Sequence, residues 1–363
     1  MASLTLHIGT RKTGTTFLQH TLADSREVLA EQGVTYPVMS RQPTHTRLIF
    51  TFLASKGDGP RRRAYNVLDQ EAALAEIDAQ LAQEVEPGSR WLMSSETAAR
   101  LTEPEMTAML EFLGKYFDSV RVIVYFRRQE FLIESFYSQL VKVGRTQKMN
   151  WDADYATFSG RSLLGIYEQW VGALGADAVT ARPYLESFKS NSAALLADFC
   201  SHTGIDVQPP AAEDTTTRRA NPRLSAEGIE FLVALNSFLP HPFDANDAEL
   251  KIRRALLDRI MAVTAGPPLQ IPGRLVPEVK AHFGPENQRL AELAGGGPEW
   301  EEWLEQSPPA DVLDEPPALR PERVVEILRA LSHPEGPLDL KQEDWGSTAI
   351  NEPPKRRRPA FLR

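Results

Sequence analysis

The residues best suited to chemistry fall in one stretch, His7-Ile-Gly-Thr-Arg-Lys-Thr-Gly-Thr-Thr-Phe-Leu-Gln19, where Lys12 and the hydroxyls of Thr13, Thr15 and Thr16 sit around Gly9 and Gly14. Leu4, Leu6 and Ile8 alternate with Thr5 and His7, the period of a strand. Phe17, Leu18, Thr21 and Leu22 recur at helical spacing. The chain therefore turns from strand to helix across Gly9 to Gly14. Such a turn aims backbone N–H groups and the positive end of a helix at one point, which an anion can fill. Arg11, Lys12, Thr13, Gly14, Thr15 and Thr16 are the candidate phosphate-binding residues.

Gly9 and Gly14 have the GxxxxG spacing of the nucleotide P-loop, but Thr15 follows Gly14 where that loop carries its lysine. With the lysine inside the loop, at Lys12, the motif suits one phosphate and a group attached to it better than a metal-bridged triphosphate. The GxxKTGTT arrangement resembles the 5′-phosphosulfate loop of sulfotransferases that use 3′-phosphoadenosine 5′-phosphosulfate (PAPS). A second segment is similar to their 3′-phosphate motif: the strand Val120–Phe126, then Arg127, then Ser135 eight residues later, with Arg127-Arg-Gln129 where the family has Arg-Asn-Pro. Val179-Thr-Ala-Arg-Pro-Tyr184 followed by Glu186 resembles the family segment whose tyrosine borders the adenine, which makes Tyr184 a candidate for the base pocket. Asn221-Pro-Arg-Leu-Ser225 and Phe283-Gly-Pro-Glu-Asn-Gln288 are similar to segments of bacterial sulfotransferases acting on glycans. No counterpart of the C-terminal glycine-lysine loop of the small-molecule enzymes is found.

The resemblance implies transfer of a sulfuryl group from PAPS to a hydroxyl, of a saccharide or polysaccharide, with 3′,5′-phosphoadenosine as product and no metal. Lys12 would neutralise the leaving oxygen. Glu96, beyond the strand Trp91–Ser95, is the favoured general base; His45 is the alternative, its imidazole titrating near neutrality. A P-loop kinase or nucleoside triphosphatase, and a noncatalytic nucleotide-binding protein on the same fold, are the competing readings.

The elements that must position these residues follow in order. Helices are expected at Leu48–Ser55, Glu71–Glu84, Glu103–Tyr116, from Gln129 onward, Leu163–Leu174 and Asn191–Thr203. They alternate with strands at Val34–Pro37, Trp91–Ser95, Val120–Phe126 and Ala178–Arg182. Alternation of this kind gives an α/β, three-layer, P-loop-like fold with a mainly parallel central sheet, whose ligands bind at the carboxyl ends of the strands. Beyond Pro209-Pro210 the strand signal ends. Helices are expected at Ser225–Phe238, Ala245–Val263, Val276–Phe283 and Pro285–Leu293, and one more at Arg320–Leu331. The expected division is a sulfotransferase-like domain at 1–210, a C-terminal helical extension at 211–305 and a Pro-rich tail at 306–363 that ends in Lys355-Arg-Arg-Arg358, read as a solvated basic cluster.

A formal charge of -9 argues against general nucleic-acid binding, so any anion site is a local concentration of positive charge. The single cysteine, Cys200, excludes an intramolecular disulfide and fits a reducing compartment. With no leader ahead of the first strand and no run long enough to span a membrane, a cytoplasmic location is expected. The acceptor pocket is expected from residues 40–70 and the helical extension. Oligomeric state is not encoded in any readable pattern.

Overall fold

The computed structural model describes residues 1–54, 59–158, 162–209, 224–241, 245–264, 269–307, 319 and 321–332. Five strands form one all-parallel sheet: β1 (Ser3–His7), β2 (Val34–Thr35), β3 (Arg90–Ser94), β4 (Ser119–Phe126) and β5 (Val179–Pro183), in the order β2-β3-β1-β4-β5. The registers set Leu4 beside Trp91 and Val120, and His7 beside Ser94 and Ile123. The carboxyl ends of β1, β3, β4 and β5 therefore share one rim.

Strand alternation sends the two sets of side chains to opposite faces. Leu4, Leu6, Ile8, Trp91, Met93, Val122 and Val124 join the larger core, filled by α3 (Thr46–Phe52), α5 (Gln70–Glu84), α6 (Glu103–Leu113) and α9 (Leu163–Leu174). On the other face Leu92, Ile123 and Tyr125 pack with α1 (Thr15–Asp24), α2 (Arg26–Glu31) and α10 (Ser192–Thr203) through Leu18, Leu22, Leu29, Leu195, Leu196 and Phe199. Both faces being covered, β3 and β4 carry continuous apolar runs, at Trp91–Met93 and Val122–Phe126, as buried parallel strands do. Three further helices lie along this stretch of sequence, α4 (Gly59–Ala64), α7 (Gln129–Lys142) and α8 (Trp151–Phe158).

The chain divides into two compact units, and the boundaries differ from the expected ones. The first unit comprises 1–133, 156–219 and 276–310; the second comprises 134–155, 220–275 and 311–363. Residues 276–310 belong with the sheet because Leu290, Ala291, Trp300 and Trp303 are part of its larger core. The two shorter helices expected there are one helix, Val276–Leu293, with Pro285 inside it. Val279, Phe283, Asn287 and Leu290 lie buried at spacings of four, four and three, so one face runs unbroken past the proline. A helix at Pro298–Glu305 was not expected; Trp300 and Trp303, one turn apart, are its buried face. Likewise α8 was not expected, and α3 begins at Thr46 and ends at Phe52, ahead of Ser55, which lies outside the described residues.

In the second unit, helices Ala226–Leu235, Asp247–Val263 and Pro321–Ser332 follow the expected positions. Buried Asn236 donates to the carbonyls of Val141 and Arg145, both at 2.8 Å, and accepts from Arg253 at 2.6 Å. Arg323 forks onto Glu227 at 2.7 and 3.1 Å. The segment Asn221–Arg223 and the Lys355–Arg358 cluster lie outside the described residues. No helix among the described residues is long and apolar enough to cross a membrane.

Candidate functional site

The loop between β1 and α1 is built for a close approach to its backbone. It leaves the sheet still attached to β4: Ile8 N–H donates to the Ile123 carbonyl at 3.0 Å, and the Thr10 hydroxyl to the Tyr125 carbonyl at 2.7 Å. The Thr13 hydroxyl then closes the turn on the Thr10 carbonyl at 2.7 Å. Lys12 and Gly14 are both left-handed, at φ 63° and 70°. A Cβ on Gly14 would lie 2.3 Å from Leu195 Cδ2, and one on Gly9 would lie 2.4 Å from Thr15 Cγ2. Gly14 is thus favoured by its φ and by the close Leu195, and Gly9 by the close Thr15. Gly14 caps α1 without a side chain to satisfy the first N–H groups, which leaves the positive end of a ten-residue helix facing the loop. Arg11, Lys12 and Thr16 are exposed, while Thr13 and Thr15 are buried.

Glu96 comes to this loop from β3. The strand ends at Ser94, Ser95 N–H donates to the His7 carbonyl at 2.9 Å, and a 3₁₀ turn begins at Glu96 with Ser95 as its cap. There the Thr15 hydroxyl donates to Glu96 Oε2 at 3.0 Å. Glu96 also lines a cleft of about 180 Å³ together with Thr16, Gln19, His20, Gln42, Pro43, Thr44, Thr46 and Tyr65. Gln19 and His20 reach it from α1, three and four residues after Thr16, on one helix face.

Arg127 follows β4 directly and is buried. Its Nε and Nη2 donate to the two carboxylate oxygens of Glu186 at 2.7 and 3.0 Å, and its Nη1 lies 3.4 Å from the Lys12 carbonyl oxygen. The guanidinium lies over the rings of Tyr184 and Phe131, 5.7 Å from each centroid. Buried Tyr184 would meet a Cβ on Gly14 at 3.7 Å, so its ring borders the loop from the β5 side. Ser135 lies farther along α7, in the part that belongs to the second unit.

His45 is placed differently from its expected role. It is buried, its Nδ1 accepts from the Ser94 N–H at 2.9 Å, and its Nε2–H therefore donates to the Pro37 carbonyl at 3.0 Å. With both nitrogens engaged by backbone and Tyr36 packed edge-on at 4.7 Å, it braces the segment before α3 and has no lone pair to offer an acceptor. Burial lowers its pKa to about 4. His7 is a core histidine as well. Its Nδ1 bonds the Ser94 hydroxyl at 2.9 Å, it packs on Phe199 and Tyr125, and burial lowers its pKa to about 3.

The rim thus unites the loop, Glu96, Arg127 and Tyr184 within the first unit. Glu186 and Lys189 on the Arg127 side, and Gln19, His20 and Tyr65 in the cleft, were not assigned roles from sequence. The i, i+4 relation of Thr16 and His20 was the available signal for the cleft; the Arg127–Glu186 pair, 59 residues apart, had none.

No protein-family model matches the chain, and no curated protein does. Among the solved structures similar to it are three sulfotransferases or sulfotransferase domains. One is a sulfotransferase from Alicyclobacillus acidocaldarius, at 14% identity over 82% of this chain and 98% of that one, with a TM-score of 0.46. Another is the sulfotransferase domain of the Synechococcus PCC 7002 olefin synthase, at 18% identity over 78% and 94%, with a TM-score of 0.35. The third is the sulfotransferase domain from the curacin biosynthetic pathway, at 15% identity over 82% and 99%, with a TM-score of 0.36.

Proposed function

We propose that the protein transfers the sulfuryl group of PAPS to a hydroxyl of a saccharide or polysaccharide acceptor. The observation that carries this reading is the bond from Thr15 to Glu96, which holds a carboxylate beside a glycine-walled anion cradle and at the edge of a polar cleft. Loop N–H groups and the N-terminus of α1 suit the 5′-phosphate, and the two glycine positions leave room for it. Tyr184 suits the adenine. Arg127 suits the second phosphate; Ser135 is assigned to that phosphate on sequence spacing alone.

In the transfer, the acceptor oxygen forms a bond to sulfur as the bond from sulfur to the 5′-phosphate oxygen breaks. The leaving electron pair goes to that oxygen, where Lys12 supplies positive charge, and the acceptor proton goes to Glu96. A threonine hydroxyl has one proton to give. When the 5′-phosphate draws the Thr15 proton, the Glu96 oxygen that held it is freed for the acceptor. Nucleotide occupancy thereby prepares the base. The lining of hydroxyl, amide and imidazole groups suits a polyhydroxylated acceptor.

The test is thermal-shift titration with 3′,5′-phosphoadenosine beside ATP with Mg²⁺, followed by transfer assays from PAPS to a panel of glycans. Stabilisation by 3′,5′-phosphoadenosine is expected. Stabilisation by ATP with Mg²⁺ alone would point to a phosphoryl-transfer enzyme instead.

A further inference from the structure

Arg127 is buried and permanently charged, and such a group is costly without an anion. Glu186 supplies one in a two-bond fork, at 2.7 and 3.0 Å. A guanidinium binds a phosphate monoester with the same fork. Of the five guanidinium N–H groups two face Glu186 and one faces the Lys12 carbonyl, and the guanidinium lies over the rings of Tyr184 and Phe131, so the Nε and Nη2 edge that Glu186 occupies is a fork on which one anion can replace another.

Glu186 carries a second cation. Lys189, one turn along the 3₁₀ segment Glu186–Lys189, is ion-paired with the same carboxylate, and its ammonium lies 5.4 Å from the centroid of the Phe131 ring that Arg127 also covers. Two cations therefore share one carboxylate. A phosphate monoester, with a charge of about −1.5 to −2 near neutral pH, balances the pair more fully than the carboxylate does.

We propose that Glu186 is an internal counter-ion seated where the second phosphate of the nucleotide binds, and that Lys189 joins Arg127 on that phosphate when the carboxylate yields. The inference rests on the two-phosphate nucleotide of the proposed function. Glu186 is already 20% exposed and has water to turn into; Lys189, 33% exposed, stays on the seat. No bond is made or broken; one anion replaces another.

The experiment measures binding of 3′,5′-phosphoadenosine and of adenosine 5′-monophosphate by calorimetry to the wild type, Glu186→Gln and Lys189→Met, with circular dichroism and melting curves of each ligand-free protein. Glu186→Gln keeps one acceptor for Arg127, and Lys189→Met keeps the aliphatic stem against Phe131. For the bisphosphate, Glu186→Gln should bind about tenfold tighter and Lys189→Met about tenfold weaker, while the monophosphate changes by less than about twofold in both. Ligand-free Glu186→Gln should melt lower and recover with the bisphosphate.

Weaker bisphosphate binding in Glu186→Gln would mean that the carboxylate merely orients Arg127, and unchanged binding in Lys189→Met would remove the lysine; either overturns the exchange alone. A wild type that binds neither nucleotide overturns the proposed function and the exchange together.

Discussion

Mild acid should weaken the first unit by an amount that two buried histidines set. Both His7 and His45 are neutral in the fold, burial lowering their pKa values to about 3 and about 4 from the 6.5 of a free imidazole. A lowered folded pKa means that the unfolded chain binds protons which the fold refuses. The stabilisation is complete above pH 6.5, and it is lost as pH falls toward the folded values. At pH 5 neither buried ring has taken a proton, so the loss depends on the free imidazole alone. The interval of about 1.5 pH units, at about 1.36 kcal/mol per unit, costs about 2 kcal/mol per histidine and about 4 kcal/mol for the two. Carboxylates titrate mainly below this window. Urea unfolding at pH 7.5 and 5.0 measures the loss in the wild type and in His45→Gln, which has no imidazole at that position. The variant should be weaker at pH 7.5 by about 1–3 kcal/mol, through the backbone bonds it disturbs. Its loss between the two pH values should be smaller than that of the wild type by about 2 kcal/mol. An identical pH loss in variant and wild type would refute the reasoning, as would an imidazole NMR titration of His45 centred near 6.5.

Lys12→Ala, at an exposed loop position, should leave melting unchanged and lower transfer from PAPS by about 10²–10³-fold; wild-type turnover would remove Lys12 from the leaving-group role. In Glu96→Gln an amide oxygen still accepts from Thr15, so nucleotide affinity should hold while the rate falls by about 10²–10⁴-fold, read as kcat against KM for PAPS. Gly14→Ala combines a left-handed alanine, about 1–2 kcal/mol, with an overlap at Leu195, about 1–3 kcal/mol; wild-type stability in urea unfolding would contradict the loop geometry.

The sheet and its rim could be read in the sequence because buried parallel strands leave a local mark. Val122–Phe126 is an apolar run with no turn residue, and Arg127 stands at its end. The spacing of Gly9 and Gly14 located the loop for a similar reason, since a left-handed backbone at Gly14 and close neighbours at both positions favour glycine there. What no local window carries is which distant groups meet. The run Thr44-His45-Thr46 is polar throughout, yet the Ser94 N–H, 49 residues away, takes up the His45 ring in the interior. Trp300 and Trp303 lie in an acidic stretch, and it is their packing, with that of Leu290 and Ala291, in the sheet core that places 276–310 in the first unit. The sheet order has the same origin, because β1 pairs with β3 and β4 across separations that no periodicity reports.

Lys12 shows how local strain and function meet at the loop. A non-glycine residue at φ 63° carries a cost of about 1–2 kcal/mol that glycine would avoid, and Gly14, two residues on, shows glycine serving at a similar φ. The loop backbone alone would thus be better served by glycine at position 12. What lysine adds is an exposed side chain on a carbonyl-anchored residue: the Arg127 guanidinium lies 3.4 Å from its carbonyl oxygen, and the Thr13 hydroxyl locks the turn beside it. The same Arg127 contact joins the loop to the Glu186 seat, so a change of anion there acts on the group that holds the Lys12 backbone. Strain at a charged residue, where glycine would relieve it, is the observation that supports the leaving-group role proposed for the Lys12 side chain.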